Sequence, residues 1–317
     1  MTDLSFLSKE KLHTGFGEVI TNPTSYEDIL HQAGLDWTVS AHDAYTKVND
    51  SMIQIPKTKV IFRDADSKSL GIVSDKYKIV QNSDAFDFTK TLFGDNSIEF
   101  IRGGSYRGGS ATWLEAKITG QFSILGDEFV CYLIFMNTHD GTGSIRCMIL
   151  PERIVCSNAL NVPLKNVLRN WRCVHSGDPL AKIDEARQIL LAGSSYMDAL
   201  ESEIEDLQKI KLSSTQVETF IDKIFPLPID KNTNTIDTSS RAYENALKRR
   251  DQLLDIYTDK PDLANLGNSG YKFISAVTDF VDHVNTKNTA NGALNTYMKV
   301  ANGHPIVDLA YNMVKAA

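Results

Sequence analysis

Two apolar runs, residues 132–136 (YLIFM) and 145–150 (IRCMIL), flank the polar stretch 137–144 (NTHDGTGS). Asp140 and Gly141 tolerate the positive φ that a tight reversal demands, and an Asp-Gly step between hydrophobic runs is a strong short-range hairpin signal. The centre of the chain is therefore expected to be an antiparallel strand pair. Directly after it, residues 153–161 (RIVCSNALN) set Arg153, Cys156, Ser157, Asn158 and Asn161 into an aliphatic frame. Few other segments place so many polar side chains among apolar ones.

More strands are expected around this hairpin. Residues 37–39 and 45–48 read as a pair reversing over 40–43, and 59–63 and 70–73 as strands joined by the polar 64–69. Ser83 suits the N-cap of a helix over 84–93 that Gly94 ends. Strand-like runs then follow at 98–102, 112–118, 128–136 and 144–150. After Pro179 the period changes. Ile183, Leu190, Met197 and Ile204 recur every seven residues, with Ala186, Gly193, Leu200 and Leu207 offset by three. That spacing predicts a helix of about 30 residues with a narrow apolar seam. Gly193 in the seam costs about 1 kcal/mol relative to alanine and favours an intramolecular helix pair over a coiled-coil dimer. Further helices are expected over 214–225, 241–257, 271–284 and 305–314. The fold class is α+β: an antiparallel-rich sheet core over 1–175, then a helical region over 176–317.

Hydrophobic residues make up 42 % of the chain and charged residues 23 %, the composition of a folded globular protein. No apolar run reaches the roughly 18 residues of a membrane span, and the first residues lack a secretory layout, so a cytoplasmic protein is expected. The four cysteines are separated by 15, 8 and 16 residues, which matches no common zinc or disulfide framework. The net charge of −7 argues against coating nucleic acid with the whole surface, but the charge is unevenly spread. Residues 141–175 carry Arg146, Arg153, Lys165, Arg169 and Arg172 against Glu152 alone, whereas 178–210 are predominantly acidic. A local cationic groove is compatible with an acidic whole.

Three constellations invite chemistry. The glycine-rich 103–109 (GGSYRGG) lacks the Lys-Ser/Thr ending of a phosphate-binding P-loop. Turn geometry explains its glycines, while a nucleic-acid reading would stack a base on Tyr106 and hold phosphate with Arg102 or Arg107. His139-Asp140 has no converging third or fourth ligand, so a hairpin-turn role is expected, with no metal, cofactor or catalytic group. The series Arg153, Lys165, Arg169 and Arg172, with Trp171 among them, combines phosphate neutralisation with an aromatic surface, as sequence-independent single-strand binders do.

Residues 77–82 (YKIVQN), 103–109, 137–143 (NTHDGTG), 153–161 and 270–283 (GYKFISAVTDFVDH) occur in an order that resembles the phage- and plasmid-borne family catalogued as a domain of unknown function, number nine-three-two. Two positions depart from its pattern: Ser157, Asn158 and Ala159 stand where Gln-Asn-Thr is expected, and a tryptophan is expected near Tyr271. The resemblance implies a mobile-element setting. By fold-level analogy the strand-rich core followed by helices is also similar to the phage single-strand annealing proteins of the Rad fifty-two superfamily. That similarity implies nucleotide-independent binding and annealing of single-stranded DNA in recombination, by a homo-oligomeric ring or filament. Arg102, Tyr106, Arg107, Arg153, Lys165, Arg169, Trp171 and Arg172 would meet the DNA, with Asn158 and Asn161 ordering the junction. The competing expectation is a phage interaction module that binds or inhibits a host factor through the acidic 198–206. A hydrolase or nuclease using His139 and Asp140 is a third.

Overall fold

The computed structural model describes residues 16–317 apart from 88, 95–96, 156–157, 165–166, 168, 184, 186–192 and 285–289. Among them the centre is an eight-stranded antiparallel sheet. Its main order is β1 (Glu18–Val19), β5 (Ile98–Tyr106), β6 (Ala111–Ile118), β8 (Asp127–Thr138), β9 (Ile145–Arg153) and β10 (Asn158–Ala159). β7 (Phe122–Ile124) adds to β8, and β11 (Asn170–Cys173) adds to β9. The apolar runs of β6, β8 and β9 are nearly continuous because both faces of these strands are covered. Strand alternation sends Thr112 and Asn137 to one face, where they meet the start of α2 (Asn82–Ala85) and the residues just before it. It sends Arg102, Glu115 and Arg146 to the other, where α8 (Ala290–Asn302) crosses.

A second sheet, β2 (Val39–Val48), β3 (Ser51–Arg63) and β4 (Lys68–Ser74), packs on the first. Its core face carries Val39, Ile61, Leu70 and Val73, and at Gly71 a Cβ would lie only 2.5 Å from Cα of Asp140. The expected reversal over 40–43 is not there; β2 runs straight through it. The chain turns instead at Asn49 and Asp50, with φ of 46° and 67°, a left-handed pair that Asn and Asp tolerate best. The helix expected over 84–93 is broken into α2 and α3 (Thr89–Gly94). The glycine loop shrinks too: Gly103–Tyr106 belong to β5, leaving a 3-10 turn at Arg107–Gly109. On the N-terminal side, α1 (Tyr26–Gln32) packs Ile29 and Leu30 into the core.

The helices gather in the C-terminal part: α4 (Gly193–Lys209), α5 (Ser214–Ile224), α6 (Arg241–Asp259), α7 (Gly270–Asp279), α8 and α9 (Pro305–Lys315), with one π-helical turn at Phe280–Val284. Ser213, Ser240 and Ser269 cap α5, α6 and α7, each accepting a backbone N–H of the first turn. In α4 the seam members Met197, Leu200, Ile204 and Leu207 are buried in the chain's own core, so the seam is spent within the molecule. Residues 186–190 of that seam lie outside the described residues. A Cβ at Gly270 would come within 3.0 Å of the Leu207 carbonyl and collide with Val314, so glycine lets α7 begin between α4 and α9. One apolar core joins sheet and helices, from Phe16 to Val314. No described helix is long and apolar enough to cross a membrane.

Candidate nucleic-acid interface

The blocks that stand out in the sequence pair with one another in space. Residues 77–82 meet 137–143: the Tyr77 hydroxyl donates to the Thr138 carbonyl (2.7 Å), and the Asn137 amide donates to the Val80 carbonyl (2.9 Å). Asn82 Oδ1 accepts from Thr112 Oγ1 and lies 3.0 Å from His139 Nε2. Asp140 accepts from Ser110 and from both the N–H and the hydroxyl of Thr142, while Gly141 supplies φ of 73°. His139 therefore bonds within the core, and Asp140 within the turn and to Ser110. No group of His, Cys, Asp or Glu able to hold a metal occurs among the described residues.

Residues 153–161 meet 260–283 in a second lock. Asn158 Nδ2 donates to Asp279 (3.0 Å) and Asn158 Oδ1 faces His283 Nε2 (2.9 Å). The Ala159 N–H donates to Asp282 (2.8 Å), and Lys260 forms an ion pair with Asp279. Arg153 reaches Asp127 (2.7 Å) and the Asp262 carbonyl (3.1 Å). Asn161 then donates to the carbonyls of Val300 and Ala301, satisfying the open C-terminal end of α8.

These contacts revise the candidate set. Arg102, Arg153, Asn158 and Asn161 are each at most 5 % exposed, so they hold the fold and cannot meet a polymer in this conformation. Arg102 lies between Glu115 (2.6 Å) and the ring of Phe16 (4.5 Å to its centroid). Arg169 is spent on Asp308 (two bonds of 3.1 Å) and the Asn161 carbonyl, packed where a Cβ on Gly303 would stand. Trp171 packs against the core, and strand alternation sends it to the face opposite Arg172. Lys165 lies outside the described residues.

Three of the candidates remain at least partly exposed, and two of them share a groove. Tyr106 and Arg107, at the tip of β5, line a groove of about 550 Å³ with Met136, Thr142, Ser144 and Arg146 on one wall. Met298, Lys299, Asn302 and the Gly303–Pro305 elbow between α8 and α9 form the other. Arg107, Arg146, Lys299 and His304 are its described titratable lining groups besides Tyr106, and no described carboxylate lines it. Asn302 Oδ1 positions Arg146 at 2.6 Å. The Arg107 guanidinium lies 5.4 Å from the Tyr106 ring centroid. Arg107 also holds φ of 53°, a left-handed conformation that costs a non-glycine residue of order 1 kcal/mol and clusters at functional sites. Arg172 is paired across the strands with Arg146, which extends the positive surface past the rim. In the sequence Arg146 enters only the charge balance, and Lys299 and His304 carry no signal. Lys299 lies on α8, whose last carbonyls Asn161 binds, and His304 caps α9, placements that sequence spacing does not reveal.

The sequence model of the family described as a domain of unknown function (DUF932) matches residues 69–302. The chain belongs to DUF932. No curated protein and no solved structure shows a significant match to it. The DUF932 span contains both locks and every groove residue except the elbow at 303–305.

Burial leaves two opposed titrations in this DUF932 chain. His139, fully buried, has its pKa pushed down from 6.5 to about 4, first by desolvation and then by the nearby His175. Asp282 is driven well above the carboxylate range by burial. His139 binds a proton more readily unfolded, so its contribution is present above pH 6.5 and is lost as pH falls toward 4, by up to about 3 kcal/mol. Asp282 acts in reverse: its contribution is full below 3.8 and fades as pH rises through its elevated folded value. Urea unfolding at pH 7 and 4.5 should show a larger acid loss in the native protein than in His139→Gln. Equal losses would remove His139 as the cause.

Proposed function

We propose that the protein binds the phosphate backbone of single-stranded DNA in the groove between the β5 tip and the α8–α9 elbow, without nucleotide or metal. The observation that carries this reading is a cationic groove with a half-buried aromatic wall and no described carboxylate in its lining. Arg107, Arg146 and Lys299 would neutralise phosphates, and Tyr106 would offer a ring to a base. The volume, within the usual 300–1,000 Å³ of small-molecule sites, holds a short stretch of strand, and Arg172 extends the track beyond it. Annealing of complementary strands in mobile-element recombination is the activity this binding would serve.

Fluorescence anisotropy with a labelled oligonucleotide tests the reading. Affinity should fall with salt with a log–log slope of about −2 for three phosphate contacts. Arg107→Ala with Lys299→Ala should weaken binding at least tenfold and reduce that slope, without shifting the thermal midpoint. Unchanged affinity in the double variant, or no binding at low salt, would overturn it.

A further inference from the structure

In the small sheet the outer edge of β2 is open along most of its length. The Gln81 carboxamide accepts from the Val39 N–H and donates to the Val39 carbonyl, both at 2.9 Å, bonding the outer edge of β2 as a neighbouring strand would. From Ser40 to Val48, among the described residues, nothing continues that bonding; β2 pairs only with β3. The other free edge of this hairpin, β3 before Thr58, is blunted. Pro56 has no N–H to give, and Lys57 sits at φ of 56°, both of which obstruct strand addition. No proline interrupts β2. The hairpin is also unusually apolar for an exposed ribbon: Tyr45, Val48, Met52 and Ile53 are each 45–66 % exposed.

We propose that β2 pairs antiparallel with β2 of a second copy of this chain, joining two three-stranded sheets into one across a two-fold axis at Tyr45. Charge selects this register. Counting from Val39 turns the N–H and carbonyl groups of residues 41 and 43 outward. Counting back from the Val48–Ser51 pair that closes the two-residue turn does the same for 47 and 45, on the other side of the register shift between Asp43 and Tyr45. Placing Tyr45 opposite its own copy sets Asp43 opposite the partner's Lys47, and the reciprocal pair forms by symmetry. Both groups form surface ion pairs, Asp43 with Lys59 and Lys47 with Asp50, which re-pair at little cost, and Asp43 also bonds the Gln54 side chain. The groove lies on the large sheet, so this interface stands apart from the DNA-binding reading.

The test is light-scattering mass of the full chain over a concentration series. The native chain should show a dimer that dissociates on dilution. Lys47→Glu sets Glu against the partner's Asp43 and should weaken association at least tenfold. The swap Asp43→Lys with Lys47→Asp restores opposite charges in the same register and should recover it. Thermal midpoints confirm that each variant is folded. A monomer at every concentration, a dimer indifferent to Lys47→Glu, or a swap that fails to rescue would each overturn the proposal.

Discussion

Arg102→Met should lower the unfolding free energy by about 3–5 kcal/mol, the usual consequence of removing one partner from a buried ion pair. Arg102 and Glu115 have side chains only 6 % and 1 % exposed, with 2.6 Å between them. The Tyr297 hydroxyl donates to the second Glu115 oxygen, so the pair also ties α8 to the sheet. Methionine fills much of the arginine stem's volume but leaves Glu115 without its cation in a low-dielectric site. Chemical denaturation measures the loss. Oligonucleotide affinity per folded molecule should stay unchanged, because Arg102 does not reach the groove. A loss below about 1 kcal/mol would mean that water or a rearranged neighbour replaces the guanidinium.

Asn158→Ala should cost about 3 kcal/mol, because two hydrogen bonds to titratable partners are lost and Asp279 stays buried. The effect should also be directional. The lock joins β10 to the end of α7 and the π-helical turn, so α7 amides should lose hydrogen-exchange protection more than those of β6 and β8. Asn158→Asp offers a contrast: it keeps the shape but places a second carboxylate beside Asp279, and should be worse than alanine at neutral pH. Uniform loss of protection would show that sheet and helices open as one unit.

The sheet was legible where residues 98–150 form apolar runs joined by glycine turns, because strands covered on both faces need no alternation to be recognised. The hairpin turn was missed because Asn49-Asp50 lacks the glycine that usually advertises a left-handed pair. The misplaced arginines have one physical cause. The acids that neutralise Arg153 and Arg169 lie far along the chain: Asp127 is 26 residues from Arg153, and Asp308 is 139 from Arg169. A local count of charge sees a basic run where the fold has already paired it. The groove assembled instead from Arg107, Arg146 and Lys299, which no local window brings together.

The glycine at the start of α7 and the three strands of the small sheet bear on how this family is handled at the bench. The matched span begins inside β4 and stops one residue before the α8–α9 elbow. Expressed alone, residues 69–302 would carry β4 without the strand it pairs with, and α7 without Val314 beside Gly270. Such a fragment would expose a bare strand and an uncovered helix face, and would be expected to aggregate. The recognisable unit of sequence is smaller than the unit that folds.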